Sequence, residues 1–524
     1  MPRSADLTLP HRPFRLIGGA AIAVAVAALI GTLFWAIVAA ARAGGAGGAG
    51  NADLGWLLWI TVLQASLSTG LSLIVGVALA WALNRLRFPG RGLVVGLFAA
   101  AIVTPGLVVA FGLIDVWGRT GWLGGLGLPI FGLGGVVAAH LILDAPFAAR
   151  ILLARLDALP ESRLKTGQSL ALSAWTRFAV IDWPAIRGSL PGLAAIIFLL
   201  AFTSFPIVLL LGGGPSVATF EVAIYSAVRL DFDLNAAVTL ALLQIGLCAA
   251  IILVSAALAP VPTSLDRITE PRWRDGPGAS VLQWLVLALA LLGFAAPLLA
   301  TLADGMDSVA DVLREPSFWN GLWTSLWIAA LSSVLSLGLG LAAAMARASA
   351  RSRAGRTLIA APAYAYLAVP AVTLSLGAFL LVRTLGLDPG AVAPLVVVVA
   401  NALLALPFAV ATLAPPLEAI AHSRGRLVRS LDLGGWRQFT QIEWPLIARD
   451  AGLVVALGFC FSLGDLGVIA LFGTQNFATL PLLMVRALGA YRSHEAAAIA
   501  ALMLVLTIAA FMALPKLFGR LGRA

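Results

Sequence analysis

The chain has 524 residues, of which 61% are hydrophobic and only 11% charged, with a mean hydropathy of +1.00. That composition excludes a soluble globular enzyme, and it excludes a strand barrel too, because the apolar runs are long and unbroken instead of alternating in period two. The formal net charge of +10 suits anionic lipid head groups and aqueous partners on one face of a membrane, so no nucleic acid is needed to explain it.

Taken in order, many apolar runs reach the ~20 residues that cross a ~30 Å hydrocarbon layer as helix. Twelve spans are expected, at about 16–41, 56–84, 93–115, 130–152, 188–212, 235–258, 281–303, 318–346, 357–382, 392–413, 451–472 and 496–515. The first follows Arg3, Arg12 and Arg15. A secretory signal cleaved after Ala39-Ala40-Ala41 is the competing reading, but the run is too long for the usual signal core, which favours a retained span. The Gly/Ala tract 43–50 then reads as a flexible tether, and residues 259–280, with Pro260, Pro262, Arg267, Arg272, Arg274 and Asp275, as a polar linker.

Charge supports this layout independently. With the N-terminus in the cytoplasm, 27 of the 34 Lys and Arg residues fall on inner segments, and only Arg42, Arg119, Arg229, Arg314, Arg383, Arg486 and Arg492 fall outside. The positive-inside rule asks for that bias. Both termini are then cytoplasmic, in a multi-pass membrane protein.

Two short polar stretches, 170–184 and 431–445, interrupt the hydrocarbon and repeat one another. At an offset of 261 residues they share Leu170 with Leu431, Leu172 with Leu433, Trp175 with Trp436, Phe178 with Phe439, Ile181 with Ile442, Trp183 with Trp444 and Pro184 with Pro445, while Asp182 faces Glu443. Chance would match about one position in fifteen. Pro146-Phe147-Ala148 likewise matches Pro407-Phe408-Ala409, and the pair Pro105 and Gly112 recurs as Pro370 and Gly377. The chain is therefore a duplication. Six spans per half is an even number, so the repeats are parallel. The expected architecture is an all-α polytopic membrane protein of about 12 transmembrane helices in two six-helix repeats. Its parts are a tail, first span and tether (1–54), a first transmembrane domain (55–259), the linker and seventh span (260–317), a second transmembrane domain (318–515) and a cytoplasmic tail (516–524).

Each repeated stretch lies between the fourth and fifth spans of its half, on the cytoplasmic side. The residues before it, 161–170 and 422–431, read as a short helix, and the chain is expected to turn at Leu172-Ser173 and Gly434-Gly435. Trp175, Phe178 and Ile181 recur every three residues, as do Trp436, Phe439 and Ile442, which gives a second short helix an apolar stripe. Pro184 and Pro445 are expected to stop that helix and start the next span. Tryptophan-anchored interfacial helices would look the same. Duplication at matching positions points instead to a pair of docking knobs for a two-fold symmetric partner.

Some chemistry is absent. A phosphate-cradling loop needs Gly-x-x-x-x-Gly-Lys-Ser/Thr, whereas the two lysines, Lys165 and Lys516, lack the preceding glycines. Cys248 and Cys460 each lie in an apolar run and read as small core residues, and the four histidines show no metal-ligand spacing. Catalytic residues, a metal and a cofactor are not expected. Ionisable groups at membrane depth cost roughly 2.5–3.5 kcal/mol on insertion scales. Asp465, mid-run beside Ser462, is the candidate for lining a cationic pathway, against a buried carboxylate bonded to neighbouring serines. Asp144 is expected to pair with Arg150. Thr203, Ser204 and Pro206 occupy the first-half counterpart of the Asp465 region, where a kinked, hydroxyl-lined helix suits a gate and ordinary interhelical packing suits equally. Gly212, Gly213, Gly214 and Pro215 form an outer turn.

The spacing of the repeated stretches resembles the cytoplasmic coupling loop of binding-protein-dependent ABC importers of the type I fold, whose pattern is Glu-Ala-Ala, three residues, Gly, nine residues, Ile, one residue, Leu-Pro. Ile181, Pro184, Ile442 and Pro445 keep it; Ala171 and Asp432 stand at the glycine, Trp183 and Trp444 at the leucine, and Lys165-Thr166-Gly167 and Arg426-Leu427-Val428 at the head. Residues 211–215, 219–225, 464–473, 479–481 and 489–493 resemble the thiamine permeases of that group, and ferric-iron permeases share the double architecture. The resemblance implies two copies of a cytoplasmic ATPase that bind the ATP and dock on Gly167, Leu170, Ala171, Ser173, Trp175, Phe178, Ile181 and Pro184, and on Val428, Leu431, Asp432, Gly434, Trp436, Phe439, Ile442 and Pro445. It further implies a periplasmic substrate-binding protein touching Gly212 to Pro215, and thiamine or its phosphates as solute. A secondary transporter driven by an ion gradient is the rival from another class.

Overall fold

Two of the expected apolar spans break at a proline, whereas other prolines are carried inside continuous helices. The computed structural model describes residues 13–43, 53–256, 273–366 and 369–522, and the described residues form helices without a strand. The Gly/Ala tract from residue 44, the linker before residue 273 and the last two residues lie outside that description.

In the first half, α1 (Pro13–Ala43), α2 (Leu54–Arg85), α3 (Arg91–Ala100), α4 (Gly106–Trp117), α5 (Leu133–Asp157) and α6 (Glu161–Ser169) precede α7 (Ala174–Phe202), α8 (Pro206–Leu211), α9 (Phe220–Arg229) and α10 (Leu234–Ala256). The second half repeats the series as α11 (Pro277–Val312), α12 (Pro316–Ser349), α13 (Arg353–Ala365), α14 (Ala371–Thr384) and α15 (Pro389–Ser430). It ends with α16 (Gly435–Gly464), α17 (Ile469–Phe472), α18 (Leu480–Gly489) and α19 (Ser493–Leu521).

The expected spans are not all single helices. Ten described helices are long and apolar enough to cross a membrane, and the third expected span is instead a bent pair, α3 with its short extension and α4, turning by 110°. The ninth is split into α13 and α14, each too short to cross alone. Both breaks fall at the repeated prolines, Pro105 and Pro370, each the cap of the helix that follows. Proline has no N–H to give the preceding turn and forces the residue before it out of helical geometry.

Two further expectations fail at the repeated loops. Residues 422–431 are no separate helix, since α15 runs unbroken through Pro394, Pro407, Pro415 and Pro416 to Ser430. Nor do Pro184 and Pro445 stop a helix. Each follows a widened turn with i to i−5 bonding, Phe178–Asp182 and Phe439–Glu443, in which the Trp183 and Trp444 N–H groups donate to the Phe178 and Phe439 carbonyls. A proline ring clashes with the carbonyl four residues back, and a turn widened there absorbs the clash.

The extra helix of each half crosses to the other. α1 packs on α12, α13 and α14 of the second half and on α10 of its own; α11 packs on α2 and α4 of the first half and on α19 of its own. The recurring glycines mark these crossings. A methyl group at Gly112 would strike the Pro297 carbonyl of α11, and one at Gly377 would crowd the Leu33 carbonyl of α1. Small residues let helix backbones approach closely in lipid, where packing replaces the hydrophobic drive.

Candidate functional site: two paired loops and the cavity between the halves

In both loops the chain leaves its helix through one left-handed residue, Ala171 at φ 48° and Asp432 at φ 44°. These are the two positions where the coupling-loop pattern carries glycine. The turn therefore sits one to three residues earlier than Leu172-Ser173 and Gly434-Gly435, although Gly435 is also left-handed, at φ 59°. Ser173 then caps the restarted helix by accepting from the Thr176 N–H at 3.2 Å, while Gly434 supplies no side-chain cap.

The expected apolar stripe is graded. Trp175 and Trp436 are 77% and 75% exposed, whereas Ile181 and Ile442 are buried. Phe178 and Phe439 bridge the two ends, with ring centroids 5.8 Å and 5.4 Å from the tryptophans. Leu170 and Leu431 are exposed beside them. Gly167 leaves room for the Trp273 ring and Ile181, and its counterpart Val428 is buried.

Beneath the tryptophans each loop buries an acid, and sequence reasoning assigns neither a partner. Asp182 accepts from Arg85 Nη2 at 2.5 and 2.6 Å. Arg177, fully buried, pairs with Asp275, lies 3.7 Å from Asp182 and stacks over the Trp273 ring at 4.6 Å. Gln283 Nε2 donates to Asp275 at 2.6 Å. In the second loop Glu443 accepts two bonds from Arg15, at 2.7 and 2.9 Å, and one from Gln438 at 2.6 Å. Arg177 and Gln438 are themselves counterparts at the offset of 261. Each latch comes from the segment that opens the crossed-over helix, Arg15 of α1 or Asp275 just before α11.

Between the halves lies a cavity of about 320 Å³, within the ~300–1,000 Å³ range of ligand pockets. Its wall is built from four helix breaks: Thr104-Pro105, Thr203 to Phe205, Val369-Pro370 and Asp465 to Gly467. Irregular backbone at membrane depth is tolerated where it is buried in protein or lines a cavity, so the breaks and the cavity account for each other. Thr203, Ser204, Pro206 and Asp465 are all on the wall. Ser462 is buried one turn before Asp465, accepting from Asn401 Nδ2 at 2.9 Å. Among the described residues the Asp465 carboxylate bonds no serine side chain; it accepts from the Gly467 and Val468 N–H groups at 3.1 and 3.3 Å, while the Asp465 N–H donates to the Ser462 carbonyl at 3.4 Å.

Asp144 does not pair with Arg150. It sits mid-way along α5 with its side chain on the cavity wall, and His140 lies one turn earlier on the same wall. Six residues are about one and two-thirds helical turns, which turns Arg150 away from that face. The spacing of four between His140 and Asp144 is the available signal for a shared face. Gly212 to Pro215 sit at the end of α8, where Gly213 and Gly214 take φ of 71° and 107° and the Gly132 N–H donates to the Leu211 carbonyl at 2.7 Å.

The halves are also clasped around the cavity by α9. Glu221 accepts from the Val372 N–H at 3.0 Å, and Arg229 donates to the Ala470 and Gly473 carbonyls at 2.9 and 2.8 Å. Gln244 joins the Glu221 end, donating to its carboxylate at 3.0 Å and accepting from Thr373 at 2.8 Å.

A two-fold bundle whose halves share one cavity and carry matched handles at one end is built as a transport permease of the ABC importer class. No protein-family model matches the chain. It is 36% identical over 512 residues to the thiamine transport system permease protein ThiP of Brucella melitensis, covering 94% of each chain. Against the protein of the same name from Escherichia coli it is 36% identical over 475 residues, 87% of this chain and 88% of that one. The molybdenum transport system permease protein ModB of Azotobacter vinelandii is 30% identical over 171 residues, 32% of this chain and 76% of its own length. The chain belongs to the family of thiamine transport system permease proteins.

Proposed function

We propose that this permease carries thiamine inward across the inner membrane, through the cavity between its halves, on delivery by a periplasmic binding protein. The observation that carries this reading is similarity at 36% identity along 94% of the chain to a relative named for thiamine transport. The paired loops support the rest. Two copies of a cytoplasmic ATPase, which hold the ATP, grip the exposed Trp175 and Trp436, and the buried ion pairs beneath make each loop move with its helices. Both termini lie on that cytoplasmic side. The Gly212 to Pro215 turn meets the binding protein at the other face, and Thr203, Ser204, Pro206, Ser462 and Asp465 border the pathway. Nucleotide-driven closure rocks the halves between two discrete arrangements, which requires loops and spans to act as rigid units.

Uptake of labelled thiamine and of labelled ferric iron, in a strain lacking this chain and in the same strain with it restored, tests the proposal. Thiamine uptake should return with the chain and iron uptake should not. Restoration of iron uptake alone would transfer the machine to the other solute. Transport by the purified chain in liposomes without an ATPase would place it among ion-driven carriers.

A further inference from the structure

The clasp at α9 is supplied by one half alone. α7 and α16 each start at a loop and run away from it to a break, Thr203 to Phe205 or Asp465 to Gly467. α9 and α17 follow those breaks, so the clasp lies beyond the cavity on the side away from the loops. There α9 joins helices that flank three of the four breaks in the cavity wall. Tyr225 packs on Phe205 of its own half, with ring centroids 5.2 Å apart. The fully buried Glu221 accepts from the N–H of Val372, the second residue of α14, whose cap Pro370 has no side-chain bond to offer. A carboxylate placed on the free N–H groups of a first turn does the work of a cap and meets the positive end of the helix. Arg229 holds the Ala470 and Gly473 carbonyls, within and just past α17.

The repeat carries no second clasp. At an offset of 260, Thr219, Ala227, Ala236 and Ala237 match Thr479, Ala487, Ala496 and Ala497, so Pro481 stands for Glu221 and Gly489 for Arg229. Neither has a side chain that can donate or accept, and α18 packs on α12, α16 and α19 of its own half. The chemistry of the clasp also differs from that of the other crossings. α1 and α11 bury apolar side chains against the opposite half, among them Leu33, Ile37, Phe294 and Leu298, and that burial is lost outright on separation. Hydrogen bonds such as those of Glu221 and Arg229 are exchanged for bonds to water at small net cost. Of the contacts that join the halves, the clasp is therefore the one suited to open and reclose.

We propose that Glu221 and Arg229 are the lock of an outer gate, holding the halves together on the side away from the loops and letting go when they part there. A contact made in one arrangement and absent from the other sets their relative populations by its own free energy. The rocking that this lock governs rests on the function proposed above.

Pulsed EPR distances in the purified full chain, in nanodiscs, test the lock. Spin labels on Phe232→Cys with Tyr491→Cys report the outer ends of the two halves, and labels on Trp175→Cys with Trp436→Cys the inner ends. All four side chains are highly exposed, whereas Cys248 and Cys460 are buried. Glu221→Ala should raise the ratio of long to short outer distances about tenfold, and the inner distance should shorten in the same population. Arg229→Gln, which keeps one of two bonds at a half-buried position, should raise the ratio about threefold. The two residues are about 12 Å apart along α9, so their effects should combine to about thirtyfold in the double variant. Glu221→Gln retains an acceptor for Val372 and should fall between wild type and Glu221→Ala.

A purely structural role would lower the thermal midpoint of Glu221→Ala and leave both distances of the folded chain as in wild type, and that result overturns the lock. Lengthening at both ends would mean general loosening and overturns it too. If Glu221→Ala does not fold, Arg229→Gln decides, and an unchanged outer distance there counts against the lock. If the restored strain takes up neither thiamine nor iron while the outer ends part as stated, the transport reading fails and the lock stands. If the restored strain takes up thiamine and no variant moves the outer distance, the lock fails and the transport reading stands.

Discussion

The two loops solve one electrostatic problem with different residues. Both bury an acid five residues beyond a counterpart pair, Arg177 before Asp182 and Gln438 before Glu443. Where that earlier residue is a cation, two arginines meet two acids, Arg85 and Arg177 with Asp182 and Asp275. Where it is neutral, one acid meets one arginine, Glu443 with Arg15. Each set sums to zero, as it must: an uncompensated buried charge costs several kcal/mol, whereas a matched one is tolerated. What duplication preserved is the neutral sum and the crossed-over segment that completes it, not the sign each segment contributes. A latch of this kind ties the handle of one half to the extra helix of the other, so neither half can shift its loop alone.

The largest expected effect removes what the loops share. Charge placed at both exposed tryptophans, Trp175→Glu with Trp436→Glu, should abolish uptake while the chain still inserts, because under the docking proposed above each contact with the ATPase would acquire an unpaired carboxylate. ATP hydrolysis by the assembled complex should persist but no longer respond to the loaded binding protein. Normal uptake by the double variant would remove the docking role from both loops together. Each single variant should fall between, which tests whether the handles act as equals.

Next in size is the difference between the latches. Asp182→Asn leaves two buried arginines facing one acid, and breaking such a pair costs about 3–5 kcal/mol. Glu443→Gln strands only Arg15, whose side chain is 12% exposed at the start of α1 and can turn toward water, so a loss of about 1–2 kcal/mol is expected. Thermal unfolding of the two variants in the same detergent measures the gap. Adding Arg15→Gln to Glu443→Gln should return most of the smaller loss, since a neutral pair replaces a stranded charge. Equal losses for Asp182→Asn and Glu443→Gln would mean that the four-charge set is no more than two independent pairs.

The same loops show how far sequence alone reaches. Repetition of Trp, Phe, Ile and Pro at a constant offset is a statement about side-chain identity, which a sequence holds in full, and it locates both handles. Direction of the backbone is held only in part. The run 93–115 is apolar but for Thr104 and the terminal Asp115, and hydropathy cannot register a 110° turn inside it; Pro105 is the mark. Prolines mislead in the other direction in α15, which continues through four of them, because neighbouring helices and local adjustment re-satisfy the freed carbonyls in a packed membrane bundle. Partners distant in sequence are not legible at all. Arg15 and Glu443 are separated by 428 residues, and nothing in either neighbourhood names the other. Asp144 misleads for the converse reason, because Arg150 is close in sequence but turned to another face of the helix.

The smallest expected effect separates Ala171 from Asp432. Both hold the left-handed conformation that costs a side-chain-bearing residue about 1–2 kcal/mol and glycine nothing. Glycine returns part of that gain by loosening the unfolded chain, by roughly 0.5–1 kcal/mol. Alanine has no means to soften the cost, whereas a short polar side chain such as aspartate bonds locally and visits this region more readily. Ala171→Gly should therefore stabilise by about 0.5–1 kcal/mol, and Asp432→Gly should lie near zero. Because Ala171 is exposed, little packing is lost to obscure the comparison. A destabilised Ala171→Gly chain would show that its methyl group makes contacts which outweigh the strain. Equal gains at the two sites would instead mean that Asp432 draws no local bond from its carboxylate. Either result can be read as a shift in the thermal midpoint, and activity should stay unchanged if relief of backbone strain is the only thing the glycine supplies.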